Sequence, residues 1–396
     1  MALFFRIAVS PAVHFAMSVK SITTIEYDEL LSAPGNADLQ AKLIEAFGQE
    51  NSLGIIAIRS VPEFLEARSK FLPMAHSIAH LDSPSLDELT DPESFYNTGW
   101  SHGKEKLGDK PDFSKASYYF NPLTDLPGTP ELREKYPASY PCNKWPTSAC
   151  PNFEGDAKIL GKIMHDAVVH LASHIDYLAS SRLTSYRRNL LSDAMRNTDK
   201  AKGRLLYYFP IEDSEDSFVE SLDDSWIGWH NDSGFLTALA GDIYINDESG
   251  EVLDKSLIDP SAGLYALDRS GNTVKIDIPE DCMAVQIGEC TQIVTGGVVI
   301  ATPHCVRGGG LIGSNGDSSK AKSVKVARIS NPCFIDTGPT FELRLPPGCS
   351  RLQAIGAGVG DGIVPPLGDR WVADGMTFGD FLQKTFSMYY DWSKRQ

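Results

Sequence analysis

The chain has 396 residues, 42% of them hydrophobic, so it can bury a large core as one globular unit or two closely packed units, and disorder is not expected. Its 36 basic and 52 acidic residues give a net charge of −16 without a basic cluster, which argues against nucleic acid or a membrane as a partner. The seven cysteines form no C-x-x-C pair, which argues against a disulfide framework or a zinc knuckle and predicts a reducing, cytoplasmic location.

Residues 1–17 are expected to form an N-terminal extension. The first 25 residues contain Arg6 and Lys20 but no acidic side chain, a composition that organelle-targeting segments share. The other interpretation is a dispensable extension, because a strand-like run begins directly after Met17.

Residues 18–200 are predicted to form a mainly helical region. Helices are expected over 36–47 and 61–80, with a strand over 53–58 between them. A longer helix is expected over 156–182, because apolar side chains recur there at helical spacing. These side chains are Leu160, Met164, Ala167, Leu171, Ile175 and Leu178.

Three histidines lie on this long helix, at His165, His170 and His174. The last two are four residues apart, a spacing that can place two imidazoles on one metal ion. The acid of an H-E-x-x-H motif is missing, so we interpret these histidines as residues at the rim of the apolar stripe.

Residues 201–345 change to short β-rich runs separated by turn residues, a pattern typical of a sandwich or jelly roll. The predicted strands cover residues 205–209, 234–239, 263–267, 273–278, 283–287, 292–301 and 324–333. Residues 346–396 are expected to form a Pro- and Gly-rich linker and a closing helix over 376–392. The predicted fold class is therefore mixed α+β.

A candidate metal site begins with His230 and Asp232 in the run Gly-Trp-His-Asn-Asp-Ser-Gly. Side chains two apart on a strand share a face, so this pair can hold one ion while Asn231 turns away. A third ligand is expected from His304, which ends a β-branched run, whereas its neighbour Cys305 should point to the opposite face. Two histidines and one carboxylate form the facial triad of non-haem Fe(II) oxygenases.

A candidate anion site lies further along the chain, at Arg328 and Ser330. The segment around them alternates as a strand does, which places both side chains on one face. A guanidinium beside a hydroxyl can bind a carboxylate through several hydrogen bonds. Taken alone, Arg328 could equally be an edge-strand residue in a surface ion pair.

Taken together, these motifs resemble the plant-type iron(II)- and 2-oxoglutarate-dependent dioxygenases related to isopenicillin N synthase. The order is that of the family signature: His230, Asp232, His304, then Arg328 and Ser330. The segments 204–210, 228–237 and 288–297 also resemble family segments, and the likeness extends from about residue 18 to the C-terminus.

The resemblance implies a double-stranded β-helix, or jelly roll, as the core over residues 201–345. It implies Fe(II) held by the two histidines and the aspartate, 2-oxoglutarate bound by Arg328 and Ser330, and O2 as oxidant, with ascorbate as a candidate reductant. Tyr208, with Tyr207 as the alternative, takes the place of a tyrosine that contacts the co-substrate. The implied reaction is hydroxylation or desaturation of a small organic molecule, with release of succinate and CO2.

Two alternatives remain open at this stage. Some relatives keep the R-x-S motif without consuming 2-oxoglutarate, so an iron oxidase of the same fold has the same signature. A metal-dependent hydrolase could use the same ligands to activate water. The sequence also departs from the family in two insertions, near residues 246–262 and 308–323, where loops over a substrate would emerge.

Overall fold

The protein is represented by a computed structural model that describes residues 19–48, 50–104, 106–107, 110–211, 226–312, 324–356, 358–360 and 362–393. The expected N-terminal extension and most of the second insertion lie outside these residues. Within them, no helix is long and apolar enough to cross a membrane.

Most α-helices of the described residues lie before residue 200 or after residue 350, and one short α-helix lies between these regions. They are α1 (Tyr27–Leu31), α2 (Ala37–Phe47), α3 (Phe64–Phe71), α4 (Met74–Ala79), α5 (Ser83–Leu89), α6 (Pro130–Lys135), α7 (Phe153–Arg182), α8 (Leu190–Arg196), α9 (Glu289–Val294), α10 (Arg351–Gly356), α11 (Leu367–Arg370) and α12 (Phe378–Ser393).

The strands run through most of the chain and supply two large sheets. They are β1 (Val19–Ser21), β2 (Thr24–Glu26), β3 (Ile55–Arg59), β4 (Gly99–His102), β5 (Lys106–Leu107), β6 (Lys110–Pro111), β7 (Lys115–Phe120), β8 (Ala201–Tyr208), β9 (Ile227–His230), β10 (Leu236–Asn246), β11 (Val252–Leu253), β12 (Gly263–Leu267), β13 (Thr273–Asp277), β14 (Cys282–Ile287), β15 (His304–Arg307), β16 (Val326–Ile335), β17 (Glu342–Leu343) and β18 (Met376–Thr377).

The larger sheet has the strand order β2-β3-β14-β10-β16-β8-β7-β4, with β11 added to β10. The smaller sheet has the order β1-β13-β12-β15-β9. Pairing is antiparallel except for β1 with β13 and β2 with β3, which are parallel. The mixed α+β class is therefore confirmed, with two large and mainly antiparallel sheets.

Apolar side chains from the two sheets pack against each other. One cluster joins Ile55 and Ala284 of the larger sheet to Ala266 and Ile276 of the smaller one. A second cluster joins Tyr208 and other residues of the larger sheet to the smaller sheet through its β15 strand. Burial of apolar surface at both places holds the sheets together around the space between them.

The long helix α7 covers the outer face of the larger sheet. It confirms the helix predicted over 156–182 and begins slightly earlier, at Phe153. The side chains of its apolar stripe, including Leu160 and Met164, are fully buried against α3, α8, β10 and β16. The closing helix is confirmed as α12, over Phe378–Ser393.

Two expectations differ from the structure. The strand expected over 292–301 is wrong, because its start lies in α9 and the rest forms turns that lead into β15. The helix expected over 61–80 is two helices, since Pro73 has no N–H for a continuous helix. Residues 18–200 also contribute strands to both sheets.

Candidate active site

Two neighbouring strands of the smaller sheet, β9 and β15, bring the distant histidines together. His230 is the last residue of β9 and His304 is the first residue of β15, and the two are directly opposite in this antiparallel pair. Asp232 follows two residues after His230, in the segment 230–234 that we call the metal loop. Strand pairing therefore places residues that are 74 positions apart in the sequence at one point.

The three side chains form a group that can hold a metal ion. One ligand atom from each of His230, Asp232 and His304 lies within 4.8 Å of the others. The distance from Nε2 of His304 to Oδ1 of Asp232 is 3.9 Å, and the two imidazole rings are 4.2 Å apart. In the described part of the chain, these three residues are the one group of three or more candidate ligands whose ligand atoms lie close enough together to bind one ion.

The electrostatics of the group favour a neutral imidazole at His230. Burial and the neighbouring His304 lower the pKa of His230 to about 4. Nδ1 of His230 lies 2.9 Å from the Gly228 carbonyl oxygen, and Nδ1 of His304 lies 3.1 Å from the Thr302 carbonyl oxygen. For His230, an Nδ1 proton donated to the Gly228 carbonyl leaves Nε2 free for a metal. Nδ1 of His304 also lies 2.7 Å from Nε2 of Gln286, so both of its neighbours lie on the Nδ1 side and Nε2 remains available to a metal.

The first turn of α9 fixes the metal loop through backbone hydrogen bonds. Glu289 N–H donates to the Asp232 carbonyl at 2.8 Å, and Cys290 N–H donates to the Gly234 carbonyl at 3.0 Å. Gly288 allows this contact, because a Cβ at this position would collide with the Gly234 carbonyl. The helix thus uses N–H groups that have no partner within it.

Arg328 and Ser330 lie on β16, facing the space between the sheets. Both side chains are buried, with exposed fractions of 6% and 8%. Nε of Arg328 donates to Oδ2 of Asp242 at 2.8 Å, whereas Nη1 is buried and has no hydrogen-bond partner among the described residues. A buried and unpaired guanidinium nitrogen is costly unless an acceptor is supplied.

Asp242 was not identified from the sequence, although it lies beside Arg328. Burial works against its charged form, but Arg328 and Lys255 outweigh that effect and hold the pKa of Asp242 below its usual range. Asp242 and Arg328 are 86 residues apart in the chain, so only the pairing of β10 with β16 reveals that they are in contact.

The structure distinguishes the two candidate tyrosines. Tyr208 lies opposite Arg328 in the pairing of β8 with β16, and the guanidinium lies 4.9 Å from the centre of its ring. Tyr207 points to the other face and donates a hydrogen bond to Asp247. Of the two tyrosines, Tyr208 is therefore the one placed beside the anion site.

A single cavity of about 130 Å³ connects these groups. The three candidate metal ligands line one part of it, which we call the metal end. Arg328, Ser330, Tyr208, Asp242 and Tyr244 line another part, which we call the anion end. The arrangement can hold a cation and an anionic molecule at the same time.

The histidines of α7 have structural partners instead. A ring nitrogen of His165 bonds to the Met195 carbonyl, and one of His174 bonds to the Leu30 carbonyl. His170 packs edge-on against Tyr27. Their interpretation as helix-rim residues agrees with these contacts.

No family model matches the chain, and no curated protein sequence matches it. Several solved structures, however, are similar to the chain. A 2OG-Fe(II) oxygenase family protein from Caulobacter crescentus has a TM-score of 0.61 at 18% identity, over 94% of this chain and 99% of that one. The dioxygenase for auxin oxidation from rice has a TM-score of 0.56 at 17% identity, over 94% and 99% of the two chains.

A full-length protein from Neurospora crassa, solved in complex with alpha-KG (2-oxoglutarate), has a TM-score of 0.59 at 17% identity, over 92% of this chain and 95% of that one. Further structures of the same Neurospora crassa protein contain thymine or 5-formyluracil as well. The fold is that of the 2OG-Fe(II) oxygenases. The resemblance predicted from the sequence motifs is confirmed at this level.

Proposed function

We propose that the protein is an Fe(II)- and 2-oxoglutarate-dependent oxygenase that hydroxylates or desaturates a small organic molecule. The observation that carries this proposal is the cavity with a facial set of three metal ligands at one end and a buried, unpaired arginine nitrogen at the other. A bifunctional ligand that chelates a metal and carries a distant carboxylate fits both ends.

The donor set at the metal end fits Fe(II). Two imidazoles and one carboxylate on one side of an ion leave the remaining positions open for other ligands. His230, Asp232 and His304 would hold the ion, and burial of His230 keeps its imidazole neutral above a pKa of about 4. When bound, Fe(II) with 2-oxoglutarate and O2 supplies an oxidation that releases succinate and CO2.

The donor set at the anion end fits the distal carboxylate of 2-oxoglutarate. Asp242 holds Nε of Arg328, so the guanidinium is oriented before a ligand arrives, and Nη1 remains to donate to it. Ser330 adds a hydroxyl on the same face, and the Tyr208 ring covers the guanidinium. The surrounding apolar residues exclude water and strengthen the charged contacts.

Three further expectations belong to this proposal. The two packed sheets would form a double-stranded β-helix, with residues 201–345 as the catalytic core between a region over 18–200 and a closing region over 346–396. Residues 1–17 would be an extension outside this core. A reducing, cytoplasmic location is the third expectation of the proposal.

The test is succinate formation from 2-oxoglutarate. The Fe(II)-loaded protein, with O2 and ascorbate, is screened against small organic molecules, and the proposal predicts that some of them accelerate succinate release. The His304→Ala variant serves as the control and should form none. Oxidation of a substrate without succinate would indicate the oxidase alternative, and turnover without O2 would indicate the hydrolase.

A further inference from the structure

A chain of polar contacts lies behind the metal loop, on the side away from the candidate ligands. The residue between the two ligands, Asn231, is held twice. Its backbone N–H donates to the Tyr389 hydroxyl oxygen at 3.0 Å, and its side-chain amide donates to Oε1 of Glu289 at 3.0 Å. Tyr389 belongs to α12, so the C-terminal helix contacts the backbone of the metal loop directly.

Glu289 is in turn held by a buried ion pair with Arg370. Both Nη atoms of Arg370 donate to the two carboxylate oxygens of Glu289, and the side chains are only 0% and 1% exposed. The Arg370 guanidinium also lies 5.6 Å from the centre of the Tyr389 ring. The pair therefore joins the start of α9, the end of α11 and the inner face of α12.

This arrangement has little freedom to adjust. A buried ion pair is strongly disfavoured if one partner moves away, because the other charge is then left in an apolar environment. Glu289 also donates its backbone N–H to the Asp232 carbonyl, so the positions of Glu289 and of the metal loop are coupled. Rotation of the peptide at Asn231 would break two hydrogen bonds and displace His230 and Asp232 together.

We propose that Asn231, Glu289, Arg370 and Tyr389 are positioning residues that set the separation of His230 and Asp232. The C-terminal helix thereby controls metal affinity and ligand geometry without touching the metal. This inference rests on the metal site proposed above. It assigns a role to α12, whose aromatic residues could otherwise be interpreted only as part of the hydrophobic core.

The experiment compares Co(II) binding by the full-length protein and two mild variants, Tyr389→Phe and Asn231→Ala. Each variant removes one hydrogen bond to the metal loop and leaves the Arg370 ion pair in place. Groups that orient metal ligands typically change metal affinity by about 10- to 100-fold, so we expect the Co(II) dissociation constant to rise roughly tenfold in each variant. The d–d spectrum of the bound ion should shift as well.

The matched control is Phe386→Ala, which alters an exposed side chain on the same helix. It should leave the Co(II) affinity and spectrum unchanged. A purely structural role of the four residues predicts lower thermal stability in Tyr389→Phe and Asn231→Ala with parental Co(II) affinity and spectrum, and that result overturns the inference. Failure of the parent protein to bind Co(II) overturns the metal site itself, which is a separate and recognisable outcome.

Discussion

The two ends of the cavity are built differently. At the metal end, the far nitrogens of both histidines lie beside backbone carbonyls, and α9 holds the loop by its N–H groups. At the anion end, Arg328 has one charged partner and, within the described part of the chain, one unpaired nitrogen. The protein thus supports its candidate metal ligands through its own backbone, whereas Arg328 keeps a buried donor that an anionic ligand would satisfy under the proposed function.

The largest expected effect follows from removing a metal ligand. His230→Ala, Asp232→Ala or His304→Ala leaves two of three protein ligands, so we expect metal affinity to fall by more than about 100-fold, beyond the effect of groups that only orient ligands. Metal titration and thermal unfolding should show lost binding in a protein that still folds. Parental affinity in any of the three variants would contradict the site.

The second effect concerns the guanidinium. Arg328→Lys keeps the charge but loses the fork of donors, so the affinity for 2-oxoglutarate should fall while metal affinity barely changes. Loss of one charge-assisted contact costs about 1.5–3 kcal/mol, or roughly a 10- to 150-fold rise in dissociation constant. Ser330→Ala should cost less, about 0.5–1.5 kcal/mol. Calorimetric titration of the metal-loaded variants measures both changes in 2-oxoglutarate affinity. A larger loss of affinity in Ser330→Ala than in Arg328→Lys would contradict the assignment of Arg328 as the main carboxylate ligand.

A smaller effect is expected at Asp242. Asp242→Asn keeps an acceptor for Nε of Arg328 but removes a negative charge next to the incoming carboxylate. We expect tighter 2-oxoglutarate binding by about 1 kcal/mol, roughly fivefold, and a lower melting temperature without ligand, because the buried Arg328 loses its counter-charge. Weaker 2-oxoglutarate binding would show instead that the Asp242 carboxylate acts mainly by orienting the Arg328 guanidinium.

The smallest effect is expected at the N-terminus. Deletion of residues 1–16 leaves β1, which pairs with β13, and should not change the melting temperature or metal affinity. Deletion of residues 1–26 also removes β1 and β2 and should destabilise the fold, since both strands extend a sheet. Equal melting temperatures for the two truncations would show that these strands contribute little.

Local patterns in the sequence placed two pairs of candidate site residues together. His230 with Asp232, and Arg328 with Ser330, each follow from the two-residue period of a strand, and both pairs line the cavity, although Asp232 lies in the metal loop just after β9. The prediction failed at 292–301, because β-branched content is a weak guide when the segment starts as α9, anchored to the metal loop.

Contacts between distant segments could not be predicted from local patterns. Asp242 and Arg328 meet only through the register of β10 with β16, and Glu289 meets Arg370 only where α9 and α11 pack together. In the sequence each of these residues is an ordinary charged residue. Only the fold shows that they support the two ends of the cavity.

The most direct test of the account is whether one molecule uses both ends of the cavity at once. Under anaerobic conditions, 2-oxoglutarate and 2-oxobutyrate, which lacks the distal carboxylate, are titrated into the Fe(II)-loaded parent and the Arg328→Ala variant. The account predicts that the parent prefers 2-oxoglutarate and that this preference largely disappears in the variant, because the distal carboxylate then has no arginine to accept from. An equal preference in both proteins would contradict the assignment of Arg328 and with it the central claim.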